Sequence, residues 1–398
     1  MSTVAGATPP PRPAALDHAP IYLDHNATTP VDPRVVDAVL PVLADHFGNP
    51  SSDHAFGAPA RTALAHARAQ VATLLGATPR EIVFTASGSE ADATAIRGVV
   101  ASARRAGVDR PHVITQATEH PAVLAACAYA ERHHGAEVTV LPVDTTGKVD
   151  PAALAAALRP GTVLVSIMHA NNETGTVQPV TELARLTHDA GALFHTDAAQ
   201  SVGKVPVDVH DLEVDLLTLV GHKMYAPKGV AALYVRDGVV LEPLIGGGGQ
   251  EGGRRAGTEN VPYAVALCAA AELAHAGLAA GSVARLTTLR DRLQTELEEH
   301  LPGRVHLNGH PVHRLPQTLN VSIDGAVGHN LLQTCAGIAA STGSACHSGD
   351  RTPSPVLSAM GLPSERGLAA LRLSLGRWTT QDEVVAAAES IWTSAREI

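Results

Sequence analysis

The stretch Leu216-Leu-Thr-Leu-Val-Gly-His-Lys223 joins a short apolar run to a glycine, a histidine and a lysine. Its first four residues show no regular alternation of polar and apolar side chains, which is typical of a strand buried on both faces. Similar runs occur at 82–85, 113–115, 163–167, 193–196 and 231–235. Alanine-rich helical segments lie between them, including 61–75 and 151–158. Strands that alternate with helices predict an α/β fold with a mostly parallel central sheet flanked by helices.

The alternating pattern ends at a glycine-rich stretch, 246–253. This stretch formally matches a dinucleotide-binding fingerprint, but no strand–turn–helix context surrounds it, and we reject that interpretation. A long helical segment at 261–276 follows, with further strand candidates near 319–323 and 370–374. We therefore expect three regions: a flexible tail at 1–17, a large ligand-binding domain at 18–260 and a small C-terminal domain at 261–398.

The composition limits the classes of function that the chain can have. Hydrophobic residues make up 45% of the 398 residues but aromatic residues only 3%, so the core is expected to be aliphatic. The net charge of -10 argues against a nucleic-acid-binding protein. The four cysteines form no CxxC pair, so we expect no metal site. We expect that no apolar run reaches the roughly 18 residues of a membrane helix, and the first 17 residues lack the apolar core of a signal peptide. We therefore expect a cytoplasmic protein without a membrane partner.

Chemically reactive or polar residues follow directly after five of the strand candidates. They are Gly88 with Ser89, His120, Asn172, Asp197 with Gln200, and His222 with Lys223. Each has an ordinary explanation when it is taken alone: an exposed lysine, a helix cap, a turn, or one of the 21 histidines. The carboxyl ends of parallel strands meet at one edge of a sheet, however, and sites collect there. The five groups together therefore predict a single pocket.

The residue types in this pocket point to one cofactor. Backbone N–H groups at the start of a helix, here at Gly88 and Ser89, favour a phosphate. The imidazole of His120 can stack on a ring, and a carboxylate such as Asp197 can pair with a protonated ring nitrogen. A desolvated lysine, Lys223, can bind a carbonyl carbon covalently. This combination is the chemistry of pyridoxal 5'-phosphate (PLP).

One cysteine differs from the others in its surroundings. Cys346 lies in a stretch of small residues, Ser341-Thr-Gly-Ser-Ala-Cys-His-Ser-Gly349, where a thiol is expected to be exposed and mobile, as a nucleophile must be. The other three, Cys127, Cys268 and Cys335, lie among apolar residues and are expected in the core.

The sequence resembles the class V, fold type I, PLP-dependent enzymes, and among them the cysteine desulfurases and selenocysteine lyases. The resemblance extends from about residue 21 to residue 391. It is carried by YLDHNATTP (22–30), FTASGSEAD (84–92), ATEH (117–120), MHANNETG (168–175), HTDAAQSVGK (195–204), GHKMYAPKG (221–229), RRAGTEN (254–260), SACHS (344–348) and RLSLGRWT (372–379). It implies an obligate homodimer whose smaller α+β domain carries the catalytic cysteine loop.

The resemblance also implies a role for each candidate residue. Lys223, His120 and Cys346 are the implied catalytic residues. Asn172 and Arg372 are implied to bind the substrate carboxylate. The implied cofactor-binding residues are Gly88, Ser89, His120, Asn172, Asp197, Gln200, His222, Lys223, which holds PLP covalently, and Thr258 from a second subunit. The implied reaction converts L-cysteine to L-alanine and leaves a persulfide on Cys346. That sulfur then passes to an acceptor protein or small thiol, for iron–sulfur clusters, tRNA or other thiolation.

The chain departs from the family pattern at three positions. Val220 stands where serine is often found before Gly-His-Lys, Ala93 where asparagine is frequent, and Gly252 where arginine is frequent. Val220 and the residues around Cys346 are more similar to selenocysteine lyases, so L-selenocysteine is an alternative substrate. Two further alternatives are a class V aminotransferase, which has no use for a thiol at position 346, and a non-catalytic scaffold subunit with a degenerate site.

Overall fold

The computed structural model describes residues 10–17, 20–342 and 352–396. Within these ranges the strands are β1 (Ile21–Tyr22), β2 (Ile82–Thr85), β3 (His112–Gln116), β4 (Glu137–Leu141), β5 (Thr162–Ser166), β6 (Leu193–Asp197), β7 (Leu216–Val220), β8 (Ala231–Val235), β9 (Val305–Leu307), β10 (Thr318–Ile323), β11 (Ile338–Ala339) and β12 (Ala370–Ser374). The α-helices are α1 (Pro33–Ala44), α2 (Gly57–Leu75), α3 (Gly88–Arg105), α4 (Pro121–His134), α5 (Pro151–Ala157), α6 (Val180–Asp189), α7 (Val261–Ala279), α8 (Ser282–His300), α9 (Gly328–Thr334), α10 (Pro355–Ala359), α11 (Ser364–Leu368) and α12 (Gln381–Arg396).

The central sheet contains seven of these strands, in the order β2-β8-β7-β6-β5-β3-β4. Only β8 runs antiparallel to its neighbours within this described sheet. Every residue of β2, β3, β7 and β8 is buried, which explains why these strands appear in the sequence as continuous apolar runs. The predicted α/β class and the mostly parallel sheet are confirmed.

The strands that sequence reasoning missed are short or lie at an edge. Strand β4 ends the sheet, and four of its five residues are not buried, so it lacks a continuous apolar run. Strands β1 and β11 have two residues each and pair only with one another. Strand β9 has three residues. Elements this short carry too few side chains for a periodic pattern.

Helices cover both faces of the central sheet and form two layers of core. Helices α3 and α4 pack on one face, where Val113, Leu164 and Leu233 point. Helices α1, α2, α5, α6 and α7 pack on the other, against residues such as Ile114 and Val165. Adjacent residues of one strand thus belong to opposite layers. Both layers are mainly aliphatic, as the composition predicts.

A separate core surrounds the small antiparallel sheet β12-β10-β9. Helices α8, α9 and α12 contribute to it, and so does Leu23 from the N-terminal part of the chain. Helix α7 packs into the core of the central sheet instead. Within 10–17, Arg12 contacts Glu383 and the carbonyl of Trp378; residues 1–9 lie outside the described residues. The division of the chain at residue 260 stays a prediction.

Helix α7 corrects one expectation from the sequence. Its 19 residues, with a mean hydropathy of 1.4, are long and apolar enough to span a membrane by length and composition alone. The expectation that no apolar run reaches this length was therefore wrong. The helix packs against α1 and α2, and residues such as Leu267 and Ala271 are buried in the core of the central sheet. This packing accounts for its apolar character.

Candidate active site

A cavity of about 490 Å³ opens at the carboxyl ends of the central strands. Nine of the site residues predicted from the sequence line it: Gly88, Ser89, His120, Asn172, Asp197, Gln200, His222, Lys223 and Arg372. Its size is within the usual range for small-molecule sites. The fold therefore brings together side chains that lie up to 284 positions apart in the sequence, from Gly88 to Arg372.

Lys223 enters the cavity from the end of β7, where the chain turns through a short 3-10 helix, Gly221–Lys223. Its Nζ donates hydrogen bonds to the carbonyl oxygens of Asn26 at 2.6 Å and Ala27 at 2.7 Å. Burial, and after it the charge of Arg372, lower the pKa of this amine to about 8, while Asp197 and Asp24 oppose the shift. A minority of the amine, roughly a tenth at pH 7, is therefore neutral.

Asp197 is the last residue of β6 and is buried on the floor of the cavity. One carboxylate oxygen, Oδ1, accepts a hydrogen bond from the backbone N–H of Ala199 at 2.9 Å. Burial raises the pKa of this carboxyl, and the hydrogen bond and the charges of His120 and Lys223 partly offset the effect. A cation bound against Asp197 would favour the ionised carboxylate.

His120 is the N-cap of α4, and its Nδ1 accepts a hydrogen bond from the backbone N–H of Ala122 at 3.2 Å. This bond fixes the ring orientation and assigns the proton of the neutral ring to Nε2. Burial lowers the pKa of His120, whereas Asp197 raises it and Lys223 lowers it. The ring is therefore mainly neutral at neutral pH.

The start of α3 forms the polar end of the cavity. Ser87 caps the helix by accepting a hydrogen bond from the N–H of Glu90 at 3.2 Å, which leaves the first N–H groups of the helix for a ligand. A Cβ atom on Gly88 would approach Cγ2 of Val220 to 2.6 Å, so only glycine allows this close contact between helix and strand. Val220 thus contributes an apolar contact where family members often have a serine.

The opposite side of the cavity contains a buried guanidinium. Arg372 lies on β12, and its Nη2 is 2.7 Å from Oδ1 of Asp24, while its Nη1 donates to the carbonyl of Asn172 at 3.3 Å. Its Nε has no hydrogen-bond partner among the described residues. The side chain is therefore oriented by two protein groups and keeps a donor for a ligand, as carboxylate recognition requires.

Comparison with known proteins identifies the family of the chain. A family model described as Aminotransferase class-V matches residues 21–386. The chain belongs to the class-V aminotransferase family. One relative, the cysteine desulfurase of Gluconacetobacter diazotrophicus, is 50% identical to this chain over 367 residues. The match covers 92% of this chain and 90% of the relative.

Similar solved structures support this family assignment. A NifS-like protein superimposes with a TM-score of 0.87 at 35% identity, covering 95% of this chain and 100% of that protein. SspA in complex with cysteine superimposes with a TM-score of 0.78 at 36% identity, covering 90% and 99%. The fold type predicted from the sequence is confirmed, and so is the resemblance to the cysteine desulfurases.

Enzymes of this family depend on PLP, and the cavity fits that group. Four buried polar atoms of its lining residues lack a hydrogen-bond partner among the described residues: Oδ1 of Asn26, Oδ1 of Asp92, Oε1 of Gln200 and Nε of Arg372. Buried polar atoms are normally paired. Unpaired donors and acceptors that face one cavity indicate a polar ligand, as a pyridine ring with a phosphate and an amino-acid adduct would be.

Two predicted residues of this class-V site are not found in the cavity. Thr258 is exposed and lies with Gly229 and Arg255 beside a separate cavity of about 230 Å³. Its expected reach into the phosphate site of a second subunit stays a prediction. Cys346 lies outside the described residues.

Among the lining residues that sequence reasoning missed are Asp24, Asn26 and Asp92. The first two belong to the family motif YLDHNATTP and the third ends the motif FTASGSEAD, so these motifs could have indicated them. Asp92 lies inside α3, and burial, followed by the charge of Asp197, raises the pKa of its carboxyl well above the usual range. Nothing in the helix pattern separates it from an ordinary surface aspartate.

Proposed function

We propose that this chain converts L-cysteine to L-alanine with PLP bound covalently to Lys223, and that it leaves the sulfur as a persulfide on Cys346. The observation that carries the proposal is the meeting of Lys223, Asp197 and Arg372 around one cavity. A reactive amine, a buried carboxyl and a guanidinium are the groups that the chemistry requires. Relatives named cysteine desulfurase, at 48–50% identity over 92% of the chain, support the substrate.

Cofactor binding uses the residues at the strand ends. The start of α3 at Gly88 and Ser89, together with His222, would hold the phosphate, and Asp197 would pair with the ring nitrogen. Gln200 offers its unpaired Oε1, because its Nε2 already donates to the carbonyl of Asn26 at 3.0 Å. PLP, when bound, withdraws electrons from the α-carbon of the substrate.

Substrate binding uses Arg372 and Asn172. The guanidinium would grip the carboxylate of the amino acid with its Nε and one neighbouring nitrogen. Asp24 keeps the guanidinium in place from the other side. The α-carbon is thereby directed toward Lys223.

Proton transfer is assigned to Lys223, whose neutral Nζ takes the α-proton. The Cys346 thiolate attacks the sulfur of the substrate. A sulfur–sulfur bond forms as the carbon–sulfur bond breaks, and the electron pair stays with the substrate carbon, which takes up a proton on the way to L-alanine. His120, whose neutral ring carries its proton on Nε2, would assist this transfer.

A second copy of the chain is the partner that we propose for an apolar surface on α1 and the residues that follow it. The surface, which we call the α1 patch, consists of Val36, Leu40, Leu43, Phe47 and Phe56, each between 45% and 71% exposed. Exposed apolar clusters of this kind mark interaction sites.

Helix α1, which carries three residues of the α1 patch, packs near the chain segment that contains Thr258. Val42 of α1 and Ala60 of α2 pack against Val261, three positions after Thr258. A symmetric dimer through this patch would place the Thr258 segment close to the partner. We also propose that a sulfur-acceptor protein receives the sulfur from Cys346 and that the protein is located in the cytoplasm.

The test is to incubate the PLP-loaded protein with L-cysteine and to measure alanine and the mass of the Cys346 peptide. We expect alanine to form without a keto acid, a persulfide on Cys346, and loss of cysteine turnover in Cys346→Ala. The same assay with L-selenocysteine, compared at equal concentration, is expected to show no absolute preference for selenium. Alanine that forms only when a keto acid is added, or a Cys346 that stays unmodified, would overturn the proposal.

A further inference from the structure

The residues on either side of the segment 343–351, which contains Cys346, are both attached to the substrate side of the cavity. On the upstream side, Ser341 pairs with Arg372 through the backbone. The N–H of Arg372 donates to the carbonyl of Ser341 at 2.6 Å, and the reverse bond measures 3.4 Å. Ser341 also lines the cavity. The upstream end is therefore held by the backbone of the residue proposed to bind the substrate carboxylate.

On the downstream side, a side-chain hydrogen bond makes the attachment. The hydroxyl of Ser354 donates to Oε2 of Glu173 at 2.5 Å, and both residues are buried. The same hydroxyl oxygen caps α10 by accepting from the N–H groups of Val356 at 3.1 Å and Leu357 at 3.4 Å. Ser354 thus connects Glu173 to the first turn of the helix that follows the segment.

Glu173 itself is fixed beside the proposed substrate-binding residue Asn172. Its N–H donates to Oδ1 of Asn171 at 2.8 Å, and its carbonyl accepts from Nδ2 of Asn320 at 3.2 Å. Burial raises the pKa of its carboxyl to about 7, although Ser354 and the charge of Arg372 oppose the shift. Burying a carboxyl is unfavourable unless hydrogen bonds compensate, so this contact must be specific.

We propose that Glu173 is a positioning residue that holds Ser354, the chain's attachment point downstream of Cys346, beside the substrate site. The inference rests on the proposed function, because it concerns the delivery of the Cys346 thiol. Cys346 lies four positions after Thr342 and eight before Ser354. A reacting group that is tethered by a short length of chain to points held beside a bound substrate reacts faster than one on a longer tether.

The test compares Glu173→Ala, Ser354→Ala and Ser354→Thr with the wild-type PLP-loaded protein. Thr380→Ala is the matched control: Thr380 caps α12 through Glu383 but does not line the cavity. The measurements are the single-turnover rate of persulfide formation on Cys346, the Kd for L-cysteine from the cofactor absorbance, and hydrogen exchange of the 354–360 peptide. The exchange measurement needs no catalysis.

We expect Glu173→Ala and Ser354→Ala each to lower the single-turnover rate about tenfold or more, because small misplacements of a reacting group cost rate steeply. The Kd for cysteine should change less than about twofold, and the combined variant should be no slower than either single one. Exchange in 354–360 should become faster in Glu173→Ala. Ser354→Thr, which keeps the hydroxyl, and Thr380→Ala should behave as wild type in turnover.

Several results would overturn the inference. A rate that falls in Glu173→Ala but not in Ser354→Ala would mean that Glu173 acts on the substrate or on Arg372 directly. A Kd that rises as much as the rate falls would mean a role in binding. Unchanged exchange in Glu173→Ala would show that Glu173 does not hold α10. Absence of a persulfide on wild-type Cys346 would instead overturn the proposed function, and a wild type that forms it no faster than the variants would overturn only the role of Glu173.

Discussion

Lys204 and Lys223 both have a lowered pKa, but their surroundings differ. Burial lowers the pKa of Lys223 to about 8 and that of Lys204 to about 7. Lys223 lines the cavity and donates to two carbonyl oxygens. Lys204 is only 5% exposed, does not line that cavity, and its Nζ has no hydrogen-bond partner among the described residues.

The comparison shows that a lowered pKa does not by itself identify a catalytic lysine. Burial is the first cause for both amines. What distinguishes Lys223 is its position at the end of β7, on a cavity that Asp197 and Arg372 also line. Lys204 is the last residue of the family motif that also contains Asp197, but it is buried and does not line the cavity. The predictions below test whether Lys204 and Lys223 differ in their effects on catalysis and on stability.

The largest expected effect is on catalysis. Lys223→Ala removes both the proposed covalent anchor and the proposed base, so the rate of alanine formation from L-cysteine should fall about 10³-fold or more. Lys204→Met, which keeps a similar volume, should retain the rate within about threefold, since distant groups contribute little to the reacting centre. Turnover and the absorbance of the bound cofactor measure both. Equal losses in the two variants would erase the distinction between the lysines.

The second effect is on stability and concerns Lys204. An unpaired buried amine destabilises the folded state, so Lys204→Met should raise the free energy of unfolding at neutral pH by about 1–4 kcal/mol, as apolar replacements of buried charged groups can. Between pH 7 and the ordinary lysine pKa the unfolded chain binds more protons than the folded one, so wild-type stability rises with pH over this range.

The advantage of Lys204→Met should therefore be full below pH 7 and should disappear as the pH approaches the ordinary lysine value of about 10.4. Urea unfolding of the cofactor-free chains at several pH values, followed by circular dichroism, measures the difference. A constant difference across this range would mean that Lys204 keeps its charge in the folded protein.

Much of this site can be predicted from the sequence, because the strands that carry its residues have recognisable local sequence patterns. Strand β7 is a mainly apolar run, and its end places His222 and Lys223 at the cavity without further information. The family motifs then locate Arg372, which lies on β12 of the small antiparallel sheet and which no strand-end pattern connects to the central sheet. The cavity confirms that these residues meet.

Other features depend on tertiary contacts that no local pattern contains. Asp24, two positions after the two-residue strand β1, pairs with Arg372 across 348 positions in the sequence. The bond between Glu173 and Ser354 spans 181 positions. The unpaired state of Lys204 is likewise visible only in the folded chain, because a lysine in a sequence is expected to be exposed.

A third prediction concerns the charge environment of Lys223. Asp197 raises the pKa of this amine, so Asp197→Asn should lower it below about 8. The pH dependence of the reaction of Lys223 with an amine-specific reagent, measured on the cofactor-free chain by peptide mass analysis, follows the shift. Asp92→Asn is the matched control, because the pKa of Asp92 is raised well above its usual range and the neutral form is favoured. A pKa unaffected by Asp197→Asn would contradict the electrostatic account.

The smallest effect links the two lysines. The charge of Lys223 lowers the pKa of Lys204, so Lys223→Met should raise the pKa of Lys204 and lessen the instability that Lys204 causes. The free energy gained by Lys204→Met should therefore be smaller in the Lys223→Met background, by about 0.5 kcal/mol, the lower end for coupled residues. Urea unfolding of the cofactor-free wild type, both single variants and the double variant at neutral pH measures this coupling. If the two changes in the free energy of unfolding were additive, the charge of Lys223 would not act on Lys204. A smaller gain in the Lys223→Met background would mean that the two amines interact electrostatically, and that their different roles follow from which of them lines the cavity.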